Sequence, residues 1–188
     1  AFAKTLRASF EKNIQKNDKI KIAKGILRGL AFLHRENVCH GALTSHNILV
    51  FPSMQIKLSG FGPSGWHKNL VDQYLWLLPY YPPEVVLEQA FTSKCDIWMF
   101  GIILVELLTN KFMGLSATQD EYMVAKTMPI NKEAYQAILD VRVTELLSKA
   151  SGGTMSRSQF IKTILVNKPQ NRPDVNTLVT SAVIRGVF

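Results

Sequence analysis

Residues 97–108 read Ile-Trp-Met-Phe-Gly-Ile-Ile-Leu-Val-Glu-Leu-Leu, and no other stretch restricts the fold as much. Apolar side chains fall on nearly every side of a helix drawn through positions 96–108, the pattern of a helix enclosed by other elements rather than laid on one. Interrupted by Gly101 and Glu106, the run falls well short of the roughly 18 to 20 apolar residues that cross a bilayer, so no membrane span is expected. Glu106, inside it, needs a partner. The helix must therefore be wrapped by the rest of the chain. At 188 residues a folded chain withdraws roughly 70% of its unfolded surface from water, enough for one sizeable core without disulfides or metals. Cys39 and Cys95 are the only cysteines, which gives no disulfide framework and fits a reducing compartment. The first ten residues lack the apolar segment of a secretory signal, and a cytoplasmic location is expected.

Twenty-two basic against fourteen acidic side chains leave a formal net charge of +8. The Lys and Arg are spread from Lys4 to Arg185 without a run of five, and no basic stripe with interleaved aromatics appears. No specific nucleic-acid partner is expected, and solubility accounts for the charge. Repeats of solenoid period and low-complexity tracts are absent.

Ile22, Ile26, Leu30 and Leu33 recur at helical spacing behind Asn17 and Asp18, which are good capping residues, and the pattern stops near Asn37. A shorter helix is expected over 6–12. Residues 47–51 and 55–58 form two β-type runs around Pro52-Ser53, which predicts a small hairpin. From 59 to 83 Gly, Pro, Trp and Tyr alternate without a period, in a segment long enough for a binding or functional loop. Further helices are expected over 121–126, 131–150 and 156–166, with Ser151-Gly152-Gly153 as a break, and a last one over 174–183.

Five segments now stand in one order. His40-Gly41-Ala42-Leu43-Thr44-Ser45-His46-Asn47-Ile48-Leu49 resembles the H-R-D-L-x-x-x-N catalytic loop of protein kinases, and Gly60-Phe61-Gly62 stands where D-F-G follows it. Pro82-Pro83-Glu84 resembles A-P-E, Asp96-Ile97-Trp98-Met99-Phe100-Gly101 resembles D-x-W-S-F-G, and Pro169 to Pro173, with Arg172, resembles P-x-x-R-P. The chain is therefore similar to the large, C-terminal lobe of a protein kinase. The resemblance implies a mainly α fold, with a small β-hairpin beside the catalytic-like loop and an activation-segment-like loop over 59–84. It also implies structural roles for His40 and Phe61 in the hydrophobic spine, for Asp96 as a cap on the loop backbone, and for Glu84 and Arg172 as an ion pair. The H-x-A-L-x-x-H-N-I-L form of the loop is similar to that in the kinase-like domain of TBC-domain kinase-like proteins, and a loop His followed by Gly is also similar to the kinase-homology domains of receptor guanylyl cyclases and to plant receptor-like and mixed-lineage types.

The departures concern chemistry. The resemblance gives the loop Asp the task of accepting the substrate proton, and that position is Ala42. The loop Arg is Gly41 and the loop Lys is Thr44, while the metal-binding Asp of D-F-G is Gly60. Asn47 and Leu49 remain as vestiges of a nucleotide site, and a single neutral ligand makes a poor Mg²⁺ site. The expectation is a pseudokinase that is no enzyme and carries no cofactor, ATP without Mg²⁺ being the residual option. No G-x-G-x-x-G loop stands ahead of the catalytic-like loop, and Met123-Val124-Ala125-Lys126 falls too far downstream to be the family's strand lysine. The small lobe is therefore expected to be missing from residues 1–188. The function expected is a protein-interaction scaffold or allosteric module joined to further domains of its polypeptide, the alternatives being a nucleotide-binding switch or a weak, divergent phosphotransferase. Trp66, Tyr74, Trp76, Tyr80 and Tyr81 are the candidate partner surface, since dense large amphipathic side chains are common at interfaces.

Overall fold

The computed structural model describes residues 2–62, 80–86, 91–112 and 155–180, together with 141, 144, 145, 148 and 184. In chain order these form strand β1 (Lys4–Thr5), helix α1 (Leu6–Ser9), helix α2 (Lys16–Arg35), strands β2 (Ile48–Val50) and β3 (Ile56–Leu58), and helices α3 (Pro83–Val86), α4 (Ser93–Thr109) and α5 (Met155–Ile164). A 3₁₀ turn (Pro169–Asn171) and helix α6 (Val175–Thr180) follow. The fold is mainly helical, and its small sheet lies beside the 40–47 loop.

Helix α4 carries the apolar run, and every residue from 95 to 107 in it is buried. Thr92 starts it: its hydroxyl accepts from Lys94 N while its own N–H reaches Cys95 Sγ. Asn110 ends it in the left-handed region at φ 53°. The Asn110 carboxamide then accepts from Ile14 N and donates to Phe10 O, both at 3.2 Å, so the end of α4 fixes the segment leading into α2. Around α4, Ile22, Ala23, Ile26, Leu27 and Leu30 of α2, Ile161 and Ile164 of α5, and Val175 and Leu178 of α6 complete one apolar core. A Cβ built at Gly101 would lie 2.7 Å from both Ile164 and Leu165, so only glycine there lets the segment around the end of α5 lie this close to α4.

Helix α2 begins earlier than Asn17 and Asp18 suggest. Gln15 is its N-cap, without a side-chain bond, and Asp18 falls inside the first turn, where its carboxylate meets Lys21 at 3.1 Å and the positive end of the helix. Gly25 and Gly29 of α2 face β3: a Cβ at Gly25 would stand 2.6 Å from Ile56 Cβ, and one at Gly29 2.8 Å from Leu58 Cδ1. The helix therefore lies directly on the hairpin.

The expected hairpin is present, with Ile48 opposite Leu58 and Val50 opposite Ile56, and the turn passes through Met54 at φ 61°. A third strand joins it, because β1 pairs antiparallel with β2 through Thr5 and Leu49. Two residues carry no period, which is why β1 is invisible in sequence. The helix expected over 6–12 closes after Ser9. The last helix starts on Asp174, whose carboxylate accepts from Thr177 N at 2.7 Å. Positions 121–126, and most of 131–150, lie outside the described residues. Among the described residues no helix is long and apolar enough to cross a membrane.

Candidate functional site

The 40–47 loop hangs from one carboxylate. Asp96, fully buried in the first turn of α4, accepts from His40 N at 2.8 Å and Gly41 N at 3.0 Å, and its Oδ2 also meets His34 Nε2 at 2.8 Å. The chain can offer both amides to one side chain because Gly41 turns at φ +75°. His40 is buried, and its ring stacks on Phe61 with centroids 4.8 Å apart. Its Nδ1 accepts from Ala42 N at 3.3 Å, and its carbonyl accepts from Gly62 N at 2.8 Å. Burial holds the imidazole below its ordinary basicity, with Asp96 acting in the opposite sense.

The far end of the loop is closed by Asn47. Its Nδ2 donates to Ala42 O at 2.8 Å and to Gly60 O at 3.2 Å, while its backbone carbonyl accepts from Ser59 N and Ser59 Oγ. Gly60 stands at φ +63°. A Cβ at Gly62 would lie 2.7 Å from the Gly41 carbonyl carbon, so two backbone segments touch here with no side chain between them. Leu49 sits half-buried in β2, and Phe61 keeps 55% of its surface exposed.

Glu84 and Arg172 meet as a buried fork. Arg172 Nη2 donates to Glu84 Oε2 at 2.8 Å and Nη1 to Oε1, while the remaining N–H groups reach the carbonyls of Lys94, Val166 and Asn167. All five guanidinium donors are thereby used, and the guanidinium lies 4.9 Å from the Trp98 ring centroid. Sequence reasoning placed a partner near Glu106 without finding it: Tyr80 Oη donates to Glu106 Oε1 at 2.6 Å and pairs with Ser45 Oγ at 3.3 Å. Burial and the adjacent carboxylate push the Tyr80 phenol far above its ordinary range. The contact of His34, in the last turn of α2, with Asp96 leaves no mark in the sequence either.

Two candidate surface residues need correction. Tyr80 and Tyr81 are only 1% and 4% exposed, because the apolar rings pack into the lobe and the Tyr80 hydroxyl is consumed by Glu106; neither presents a docking surface. Trp66, Tyr74 and Trp76 lie outside the described residues. Burial, with Asp96 adding to it, pushes the Cys39 thiol up to about 11, which disfavours its thiolate.

The positions that would carry chemistry offer little. Ala42 presents a buried methyl, Thr44 is buried, Gly60 has no side chain, and the Asn47 carboxamide is engaged with two backbone carbonyls. A divalent cation of the kind kinases use to bridge phosphates does not fit this donor set: one neutral oxygen, with no carboxylate at 60, supplies neither the charge nor the ligand number.

The sequence matches the protein kinase domain family over residues 2–184, and the chain belongs to that family. Among its relatives, MAP kinase kinase MKK1/SSP32 of Saccharomyces cerevisiae is 30% identical over 170 residues, covering 88% of this chain and 32% of that protein. Serine/threonine-protein kinase pakE of Dictyostelium discoideum is 29% identical over 169 residues, 87% of this chain and 17% of that protein. Serine/threonine/tyrosine-protein kinase HT1 of Arabidopsis thaliana is 33% identical over 115 residues, 57% of this chain and 28% of that protein. The chain thus spans about a third or less of the relatives it matches. These relatives are named as kinases, which are enzymes, and this corrects the expectation that the chain is no enzyme: its similarity points to one.

Proposed function

We propose that this chain is the large-lobe part of a divergent protein kinase, whose phosphoryl transfer is slow and whose second role is to regulate or hold protein partners. One observation carries the proposal. The contacts that shape a kinase-like loop all stand, namely Asp96 on two loop amides, His40 on Phe61 and Glu84 on Arg172, while positions 42 and 60 hold no carboxylate. Catalysis of phosphoryl transfer is chiefly positioning and electrostatics. The positioning frame persists here, and the charges aimed at the phosphates do not. Any transfer must draw on groups other than those at positions 42 and 60, and no G-x-G-x-x-G loop stands ahead of the 40–47 loop to cradle the phosphates. A frame maintained beside weakened chemistry suits a domain whose shape is itself an output, and this supports the regulatory half of the reading.

The test is single-turnover transfer of the γ-phosphate of ATP to a generic protein acceptor and to the protein itself, in the full polypeptide. Loss of a general base alone costs roughly 10²–10⁴-fold against the usual 1–100 s⁻¹, which leaves roughly 10⁻⁴–1 s⁻¹, and the missing carboxylate at position 60 lowers it further, so a rate below about 1 s⁻¹ is expected. A rate inside the usual range would overturn the proposal.

A further inference from the structure

Gly60 and Asn47 fit each other in a way that neither the retained frame nor the weakened chemistry requires. A Cβ built on Gly60 would lie 2.6 Å from Asn47 Cγ and 2.9 Å from Nδ2, distances that real side chains do not show. The carboxamide therefore occupies the space into which any side chain at position 60 would grow. From there it donates to Gly60 O and to Ala42 O, tying the segment that carries Phe61 to the 40–47 loop. The Gly62 N–H, bonded to His40 O at 2.8 Å, and the ring of Phe61, stacked on His40, continue the same seam.

We propose that Asn47 is a clasp: its side chain fills the place left by the absent side chain at position 60 and holds the 60–62 segment on the loop through two backbone carbonyls, in place of ligating a metal. Asn47 is thus a positioning residue that acts through the backbone of Gly60. Two consequences follow from the geometry. A side chain returned at position 60 must push the Asn47 carboxamide off its two carbonyls, and the two positions are energetically coupled, since shortening residue 47 makes room at 60.

The experiment is a double-mutant cycle on the full polypeptide, read as Tm by thermal denaturation, with Asn47→Ala, Gly60→Ala and the pair. Loss of two hydrogen bonds should lower Tm by roughly 4–8 °C in Asn47→Ala. Gly60→Ala should cost more than that in the wild-type background. In the Asn47→Ala background its cost should shrink by roughly the 4–8 °C of the clasp, leaving the penalty of a non-glycine residue at positive φ, roughly 2–8 °C. Equal losses in the two backgrounds would overturn the clasp. If Gly60→Ala does not fold, recovery of a folded double variant supports the proposal. If neither folds, the decision passes to Asn47→Ala alone, where amide exchange at Gly62 should quicken at least roughly tenfold as the segment opens locally; unchanged exchange overturns it. Asn47→Asp keeps the volume and removes the donor, setting a carboxylate against two carbonyls, so it should be at least as unstable as Asn47→Ala. Wild-type stability in that variant would refute the hydrogen-bonded clasp directly.

Discussion

Replacing Glu84 by Ala removes the one charged partner, among the described residues, of a guanidinium that has no exposed surface. In the native fork Arg172 Nη1 and Nη2 both reach the carboxylate, and three further donors are held by the carbonyls of Lys94, Val166 and Asn167. Those carbonyls neutralise hydrogen-bonding demand but no charge, and water cannot replace Glu84 without opening the contact between α3, the start of α4 and the segment before α6. Breaking a buried pair on one side costs typically about 3–5 kcal/mol, because an uncompensated charge stays in the interior. For a domain of this size that is a fall in Tm of roughly 6–20 °C, a large part of a total stability of about 5–15 kcal/mol. The loss should barely change between low and high salt, since the pair is screened by protein and not by solvent. Replacing both partners by apolar residues, as in Glu84→Leu with Arg172→Met, should recover much of the loss, since well-packed apolar pairs often equal buried ion pairs. The assay is urea denaturation of the wild type, both single variants and the double variant. A Glu84→Ala protein within about 1 kcal/mol of wild type would refute the reasoning, as would a double variant less stable than either single one.

Three other outcomes are expected. Asp96→Asn should cost about 3 kcal/mol or more, because a carboxylate bonded to two amides and an imidazole becomes an amide whose NH₂ faces donors; chemical denaturation measures it, and a neutral effect would remove Asp96 as the anchor of the loop. Burial lowers the basicity of His40, so below its ordinary value of about 6.5 the unfolded chain binds more protons than the folded one; stability is full above that pH and is lost as pH falls through it, at up to about 1.4 kcal/mol per pH unit. Denaturation midpoints from pH 7.5 to 5 should show this slope, reduced in His40→Phe, and identical slopes in the two proteins would contradict it. Cys39, with its thiol pushed up to about 11, should react with iodoacetamide far more slowly at neutral pH than a free thiol of ordinary acidity, and rapid single-site labelling at Cys39 would show that the loop opens.

The all-round apolar run at 97–108 announced α4 because a wholly enclosed helix leaves a pattern with no polar face, and the 3.6-residue spacing of Ile22, Ile26 and Leu30 announced α2 in the same way. The hairpin was legible from two short β-type runs around Pro52. Strand β1 was not, since two residues contain no periodicity and their partners, Val50 and Leu49, stand far along the chain. At the site, residue types showed what positions 42 and 60 lack. They could not show that Asn47 had moved into the space at Gly60, because that fit depends on a carboxamide rotamer and on a backbone at φ +63°. Nor could the aromatic density of 66–81 tell surface from interior: Tyr80 and Tyr81 are amphipathic, and only the proximity of Glu106 and Ser45 shows that the Tyr80 hydroxyl is satisfied inside the lobe.

The contacts of a kinase frame stand here while position 60 holds no carboxylate for a metal, and the effect of Mg²⁺ on the thermal shift that ATP produces in the full polypeptide tests this most directly. A ligand at about 100 times its dissociation constant adds roughly 2.7 kcal/mol to the folded state, several degrees in Tm, so a metal-dependent gain in affinity would be plain. With no carboxylate at position 60 and Asn47 bonded to Ala42 O and Gly60 O, millimolar Mg²⁺ should add nothing to whatever shift ATP gives in EDTA. An ATP shift that grows by several degrees when Mg²⁺ is supplied would contradict the account.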